Sequence, residues 1–107
     1  MGVSVKIQSN LPIGGGLGSS ASYSAALVSG LLYYYKHIQS DPKNMSSDDC
    51  ALINDWAFIS ETIIHGNPSG IDNSICVFGG AKMYTQGVLE DVDEYEFVCS
   101  TRTVFRL

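Results

Sequence analysis

Basic residues are scarce in this sequence: six lysines and arginines stand against eleven acidic residues, for a formal net charge of −5. No basic stripe is present to meet a phosphate backbone, which argues against a nucleic-acid partner. Cysteine is sparse too. Cys50, Cys76 and Cys99 are odd in number and widely spaced, with no CxxC pair and no Cys/His cluster. That pattern argues against a zinc site or a disulfide framework and points to reduced thiols in a cytoplasmic compartment. Long apolar runs are missing: the longest, around Ala25 to Tyr35, is interrupted by Ser29 and Gly30 and is too short to span a bilayer. Residues 1–10 have neither the charged nor the apolar region of a signal peptide. With 45% hydrophobic and 16% charged residues in 107, the composition is that of one folded globular domain.

Val3, Val5 and Ile7 alternate with Ser4, Lys6 and Gln8, the period-two pattern of a half-buried strand. Asn10, Pro12 and the glycines from Gly14 to Gly18 then form a loop, with Ser19 and Ser20 as N-cap candidates. Ala21, Ala25, Val28, Leu32 and Tyr35 follow at helical spacing. A polar loop over 40–47 precedes a second helix, acidic at its start through Asp48 and Asp49. Its apolar stripe is read as Leu52, Trp56, Ile59 and Ile63, and His65-Gly66 ends it. Pro68 to Asn73 is a turn-rich connection, and Ile75–Phe78, Ala81–Gln86 and Tyr95–Cys99 read as strands. The element order predicts an α+β fold with helices on one face of a mostly antiparallel sheet.

The most informative stretch runs from Leu11 to Ala21, Leu-Pro-Ile-Gly-Gly-Gly-Leu-Gly-Ser-Ser-Ala. Glycines admit positive φ and put no Cβ between the amides and a ligand, so consecutive N–H groups can converge on an anion. The helix that follows adds the positive end of its dipole, and a serine hydroxyl can reach a Mg²⁺ ion bridging phosphates. This is not a Walker A loop, because the lysine of GxxxxGK[ST] is missing. It is not a dinucleotide fingerprint either, since GxGxxG would need glycine at Ser19. The plain alternative is a flexible surface turn joining two elements.

The Pro-x-Gly-x-Gly-Leu-Gly-Ser-Ser-Ala order resembles the central motif of the GHMP kinases, the superfamily named for galactokinase, homoserine kinase, mevalonate kinase and phosphomevalonate kinase. The resemblance implies a partial N-terminal domain of ribosomal protein S5 domain 2-like fold. It also implies that Gly14, Gly15, Gly16, Leu17, Gly18, Ser19 and Ser20 wrap the phosphates of ATP, with Ser20 on Mg²⁺.

A second cluster lies about fifty residues on: Glu61, His65 and Gly66-Asn67-Pro68-Ser69-Gly70-Ile71-Asp72-Asn73. Phosphoryl transfer needs the metal placed on the phosphates and the acceptor hydroxyl oriented in line. Two carboxylates with different tasks meet both needs. Glu61 shares a helix side with His65 at i+4, and Asp72 follows a turn from which a side chain can project into a cleft. Each also has an ordinary reading: Glu61 as an exposed helix carboxylate, Asp72 as a turn residue, and His65, the reading favoured for it, as a helix end facing the dipole. The string His-Gly-Asn-Pro-Ser-Gly-Ile-Asp-Asn before Gly79-Gly80, with Asn54-x-Trp-Ala-Phe upstream, is similar to the mevalonate kinase branch of the superfamily. That resemblance assigns a magnesium ligand to Glu61 and the catalytic aspartate to Asp72.

The implied reaction is ATP-dependent phosphorylation of the primary alcohol of mevalonate, in a parent that can form a homodimer. A galactokinase- or homoserine kinase-like enzyme and a non-catalytic nucleotide-binding module are the alternatives. The resemblance spans residues 3–87. It leaves out the family's N-terminal segment, with a lysine that pairs with the aspartate, and its C-terminal domain, and it is lost in a divergent tail over 97–107. The chain alone is therefore expected to be marginally folded and weakly active or inactive, with Tyr33, Tyr34 and Trp56 exposed.

Overall fold

The computed structural model describes residues 2–12, 14–80, 82–85, 87–91, 96–98 and 104–106. Three helices come first, α1 (Ser19–Tyr34), α2 (Ser47–His65) and α3 (Ile71–Phe78). Two antiparallel hairpins follow, β1 (Lys82–Thr85) with β2 (Val88–Asp91), and β3 (Glu96–Val98) with β4 (Val104–Arg106). The register runs from Thr85↔Val88 to Lys82↔Asp91 in the first and from Val98↔Val104 to Glu96↔Arg106 in the second. The three helices pack on one another and α3 packs on β1, so the α+β expectation holds.

α1 meets the other helices through small residues. Ala21, Ser24 and Ala25 are the buried face of α1, and Ile53, Ala57 and Glu61 that of α2. Each set recurs every three or four residues, as one helix face must. The expected α2 stripe is thus displaced by one residue: Trp56, Ile59 and Ile63 are 50%, 47% and 81% exposed. The α1 side explains the shift. A face of Ala and Ser lets a partner backbone come close, and Ala57 fills the resulting shallow space where Trp56 would not fit. Tyr33 and Tyr34 lie exposed as expected, and so does Tyr35, which caps the end of α1 rather than joining its apolar face.

Two strand assignments fail. Residues 3–8 form no strand, because among the described residues no other strand offers them a hydrogen-bonded ladder. Val5, Ile7 and Leu11 instead line a groove of about 520 Å³ with Tyr23 and Leu27 of α1. Ile75–Phe78 is the second half of α3, not a strand. A short apolar run does not distinguish strand from helix by periodicity alone, and here Gly70 and Gly79 bracket a two-turn helix at φ +82° and +70°. The predicted strands at 81–86 and 95–99 coincide with β1 and β3, although residues 81, 86, 95 and 99 lie outside the described set. Among the described residues no helix is long and apolar enough to cross a membrane.

Candidate functional site

The glycine-rich bend enters α1 through left-handed backbone. Gly14, Gly16 and Gly18 have φ of +73°, +70° and +71°, values that cost an L-residue roughly 1–2 kcal/mol and glycine almost nothing. Gly18 itself is the N-cap, and its carbonyl accepts the first helical bond, from Ser22 N–H at 2.9 Å. The expected N-cap serines are therefore one step late. Ser19 and Ser20 already lie in the first turn, because a left-handed glycine starts the helix without a side-chain cap. That placement frees the Ser20 hydroxyl to point elsewhere.

It points at Glu61. Ser20 Oγ donates to Glu61 Oε1 at 2.8 Å, across 41 residues of sequence. Ser24 Oγ, one turn further along α1, donates to the same oxygen at 2.8 Å. The Glu61 side chain is buried, the residue only 4% exposed, and among the described residues no lysine or arginine lies within ion-pair distance of it. His65, one turn on along α2, brings Nε2 to 3.0 Å from Ser20 Oγ and 3.5 Å from Glu61 Oε2. A hydroxyl has one proton. With that proton on the Glu61 bond, His65 Nε2 must be the donor to Ser20. The sequence had favoured a helix-end role for His65; the structure makes it a neighbour of both predicted magnesium ligands. The i, i+4 spacing from Glu61 was the visible signal, and only the approach of α1 gave His65 a second partner, Ser20.

Asp72 is set beside them by α3. Gly70 starts that helix where the Phe58 ring of α2 lies 3.4 Å from the position a Cβ would take. Asn73, 2% exposed, donates from Nδ2 to Asn54 Oδ1 of α2 at 2.8 Å. Successive helical residues diverge by about 100°, so with Asn73 turned inward Asp72 faces out. Ser20, Glu61, His65, Pro68, Ser69, Gly70, Asp72 and Asn73 line one pocket of about 230 Å³. The two acids and the serine that follows the bend thus share a cleft, and Gly14 to Leu17 of the bend are exposed.

The donor set can be tested against a metal. Among the described residues no group of three or more His, Cys, Asp or Glu side chains could hold one. The two predicted ligands, the Glu61 carboxylate and the Ser20 hydroxyl, are both hard oxygen donors. That matches Mg²⁺, which keeps several waters and takes few protein oxygens besides substrate phosphates. It does not match zinc.

Cys76 reports on the charge here. Its thiol is pushed above the ordinary value, first by burial and then by the carboxylates of Asp72 and Glu61. Its iodoacetamide alkylation, followed by peptide mass spectrometry, is therefore expected to be slow at pH 7 and to quicken as pH rises. Asp72→Asn should speed it by up to a few-fold, since it removes only a minor cause. No change with Asp72→Asn would place that carboxylate out of range.

Comparison with known proteins gives the family. Residues 1–80 match the GHMP kinases N terminal domain. The chain is 43% identical over 94 residues to the mevalonate kinase of Homo sapiens, covering 82% of this chain and 24% of that enzyme. It is 43% identical over 86 residues to that of Arabidopsis thaliana, covering 78% and 23%. With that of Schizosaccharomyces pombe it shares 35% over 99 residues, covering 91% and 24%. It spans about a quarter of the length of these relatives. A bend of left-handed glycines feeding a serine onto a buried glutamate, and a sequence match over its first 80 residues, lead to one conclusion: the chain belongs to the GHMP kinases, carries sequence of their N-terminal domain, and has mevalonate kinases as relatives.

Proposed function

We propose that these residues form the phosphate-binding and acidic part of an ATP-dependent kinase that phosphorylates the primary alcohol of mevalonate, giving 5-phosphomevalonate. The observation that carries the reading is the Ser20–Glu61 hydrogen bond, with Asp72 on the same pocket wall. The choice of mevalonate over galactose or homoserine rests on the names of the relatives.

The amides of Gly14 to Ser19 hold the phosphate chain at the start of α1, where the helix dipole favours anions. Ser20 and Glu61 would hold Mg²⁺, with Glu61 Oε1 already accepting from the Ser20 and Ser24 hydroxyls. When bound, Mg²⁺·ATP supplies the γ-phosphoryl group and the positive charge that neutralises its oxygens. Asp72, exposed at the rim, would accept the hydrogen bond of the substrate alcohol and take its proton as the new O–P bond forms and the bond from the γ-phosphorus to the ADP oxygen breaks, releasing ADP. His65 keeps the Ser20 oxygen oriented through Nε2.

The test is ADP release by the full-length kinase this reading implies, offered mevalonate, galactose and homoserine separately. Turnover is expected with mevalonate and background with the other two. Equal or greater turnover with either competitor would remove the substrate assignment, and ATP binding without turnover on any alcohol would leave a nucleotide-binding module.

A further inference from the structure

Ser24 enters the reading above only as a second donor to Glu61 Oε1, yet its surroundings are those of a working group. It is fully buried, at 0% exposure, in the middle of the small-residue face where α1 meets α2. A buried hydroxyl needs partners, and Ser24 has two: it donates to Glu61 Oε1 at 2.8 Å and lies 3.2 Å from Ser60 Oγ, which donates to it. Each hydroxyl has one proton, so the direction of the whole array follows. Ser60 donates to Ser24 and Ser24 to Glu61. From the other side His65 donates to Ser20 and Ser20 to Glu61. Both lines of donors end on one carboxylate oxygen, Oε1.

Resting on the proposed function, we propose that Ser24 is a positioning residue that clamps Glu61 Oε1 from inside the helix interface, so that Oε2 is presented to the metal. The geometry explains why one serine is not enough. A glutamate side chain has three rotatable bonds and a broad terminal torsion. Ser20 alone could not hold it once the Ser20 oxygen turns toward a cation, because the hydroxyl then meets both the metal and the carboxylate. Ser24 lies one turn deeper and stays bonded to Oε1 throughout. Partners of this kind, bonded to a metal's ligand rather than to the metal, change metal affinity by about 10- to 100-fold when removed.

The experiment uses the full-length kinase with Mn²⁺ as probe, titrated by electron paramagnetic resonance in the presence of a non-hydrolysable ATP analogue. Ser24→Ala is expected to weaken Mn²⁺ binding about 10- to 100-fold while metal-free nucleotide affinity stays unchanged. Ser24→Cys, which keeps the volume and gives up the strong donor, should do the same, and it is the variant to read should Ser24→Ala not fold. In a Glu61→Gln background the Ser24 substitution should have no further effect on Mn²⁺. A merely structural loss would persist there. Unchanged Mn²⁺ affinity in Ser24→Cys overturns the role of Ser24 alone. Unchanged Mn²⁺ affinity in Glu61→Gln overturns the assignment of the metal to Glu61, and this inference with it.

Discussion

Asp72→Asn is expected to lower kcat of the full-length kinase by about two to four orders of magnitude, the usual contribution of a positioned general base, with ATP affinity retained. Asparagine keeps the shape of the side chain and an oxygen to face the alcohol, but it cannot take a proton and has no charge. The folded state should lose little, about 0.3–1 kcal/mol from the pairing of this first-turn carboxylate with the dipole of α3. Asp72 is exposed, and among the described residues its carboxylate makes no hydrogen bond, so no internal contact is lost. The helix that bears it is held by its neighbour Asn73 through Asn54, which the substitution leaves intact. A loose phosphoryl transition state asks little of a base, so a loss nearer the lower limit would identify Asp72 as an orienter of the hydroxyl. Isothermal titration with ATP alongside steady-state turnover separates binding from chemistry. Undiminished turnover would remove Asp72 from the mechanism.

The second large effect concerns the bend. Gly18→Val forces a β-branched residue to φ +71° at the start of α1. No neighbour lies within 4 Å of the added Cβ, so the penalty is conformational and not a clash. The left-handed region costs an L-residue roughly 1–2 kcal/mol, which is about 5- to 30-fold in an equilibrium constant. If the chain escapes that strain by returning to negative φ, the amides before Ser19 no longer converge and the loss of nucleotide affinity is larger still. Gly30→Ala is the matched control. Gly30 lies within α1, exposed, with nothing near its missing Cβ, and alanine there should stabilise the helix by about 0.5–1 kcal/mol without changing ATP affinity. Nucleotide titration and thermal melts of both variants decide the matter; equal affinities would show that the bend does not hold phosphates.

Taken along the chain, the residues made the chemistry more legible than the packing. The run from Gly14 to Gly18 read as a bend because glycine takes the left-handed angles of Gly14, Gly16 and Gly18 without strain, and Ser20, Glu61 and Asp72 stood out through the resemblance to the GHMP kinases, as oxygen groups of the kind phosphoryl transfer needs. Both long helices were readable from spacing and from the polar, proline-bearing break between them. Tertiary structure decided which face of α2 turned inward. Hydrophobicity favoured Trp56 and Ile63, but α2 turns Ile53, Ala57 and Glu61 toward the Ala and Ser surface of α1, where Ala57 allows close approach and Glu61 meets the serine hydroxyls. The strand expected at 3–8 needed a ladder partner that no local pattern can supply, and α3 replaced a strand where a four-residue apolar run was too short to show its period. The array on Glu61 is the clearest case. Ser24, Ser60 and His65 are unremarkable side chains until α1 and α2 come together, because hydrogen bonding depends on distance in space, and residues 36 to 45 positions apart acquire that proximity only on folding.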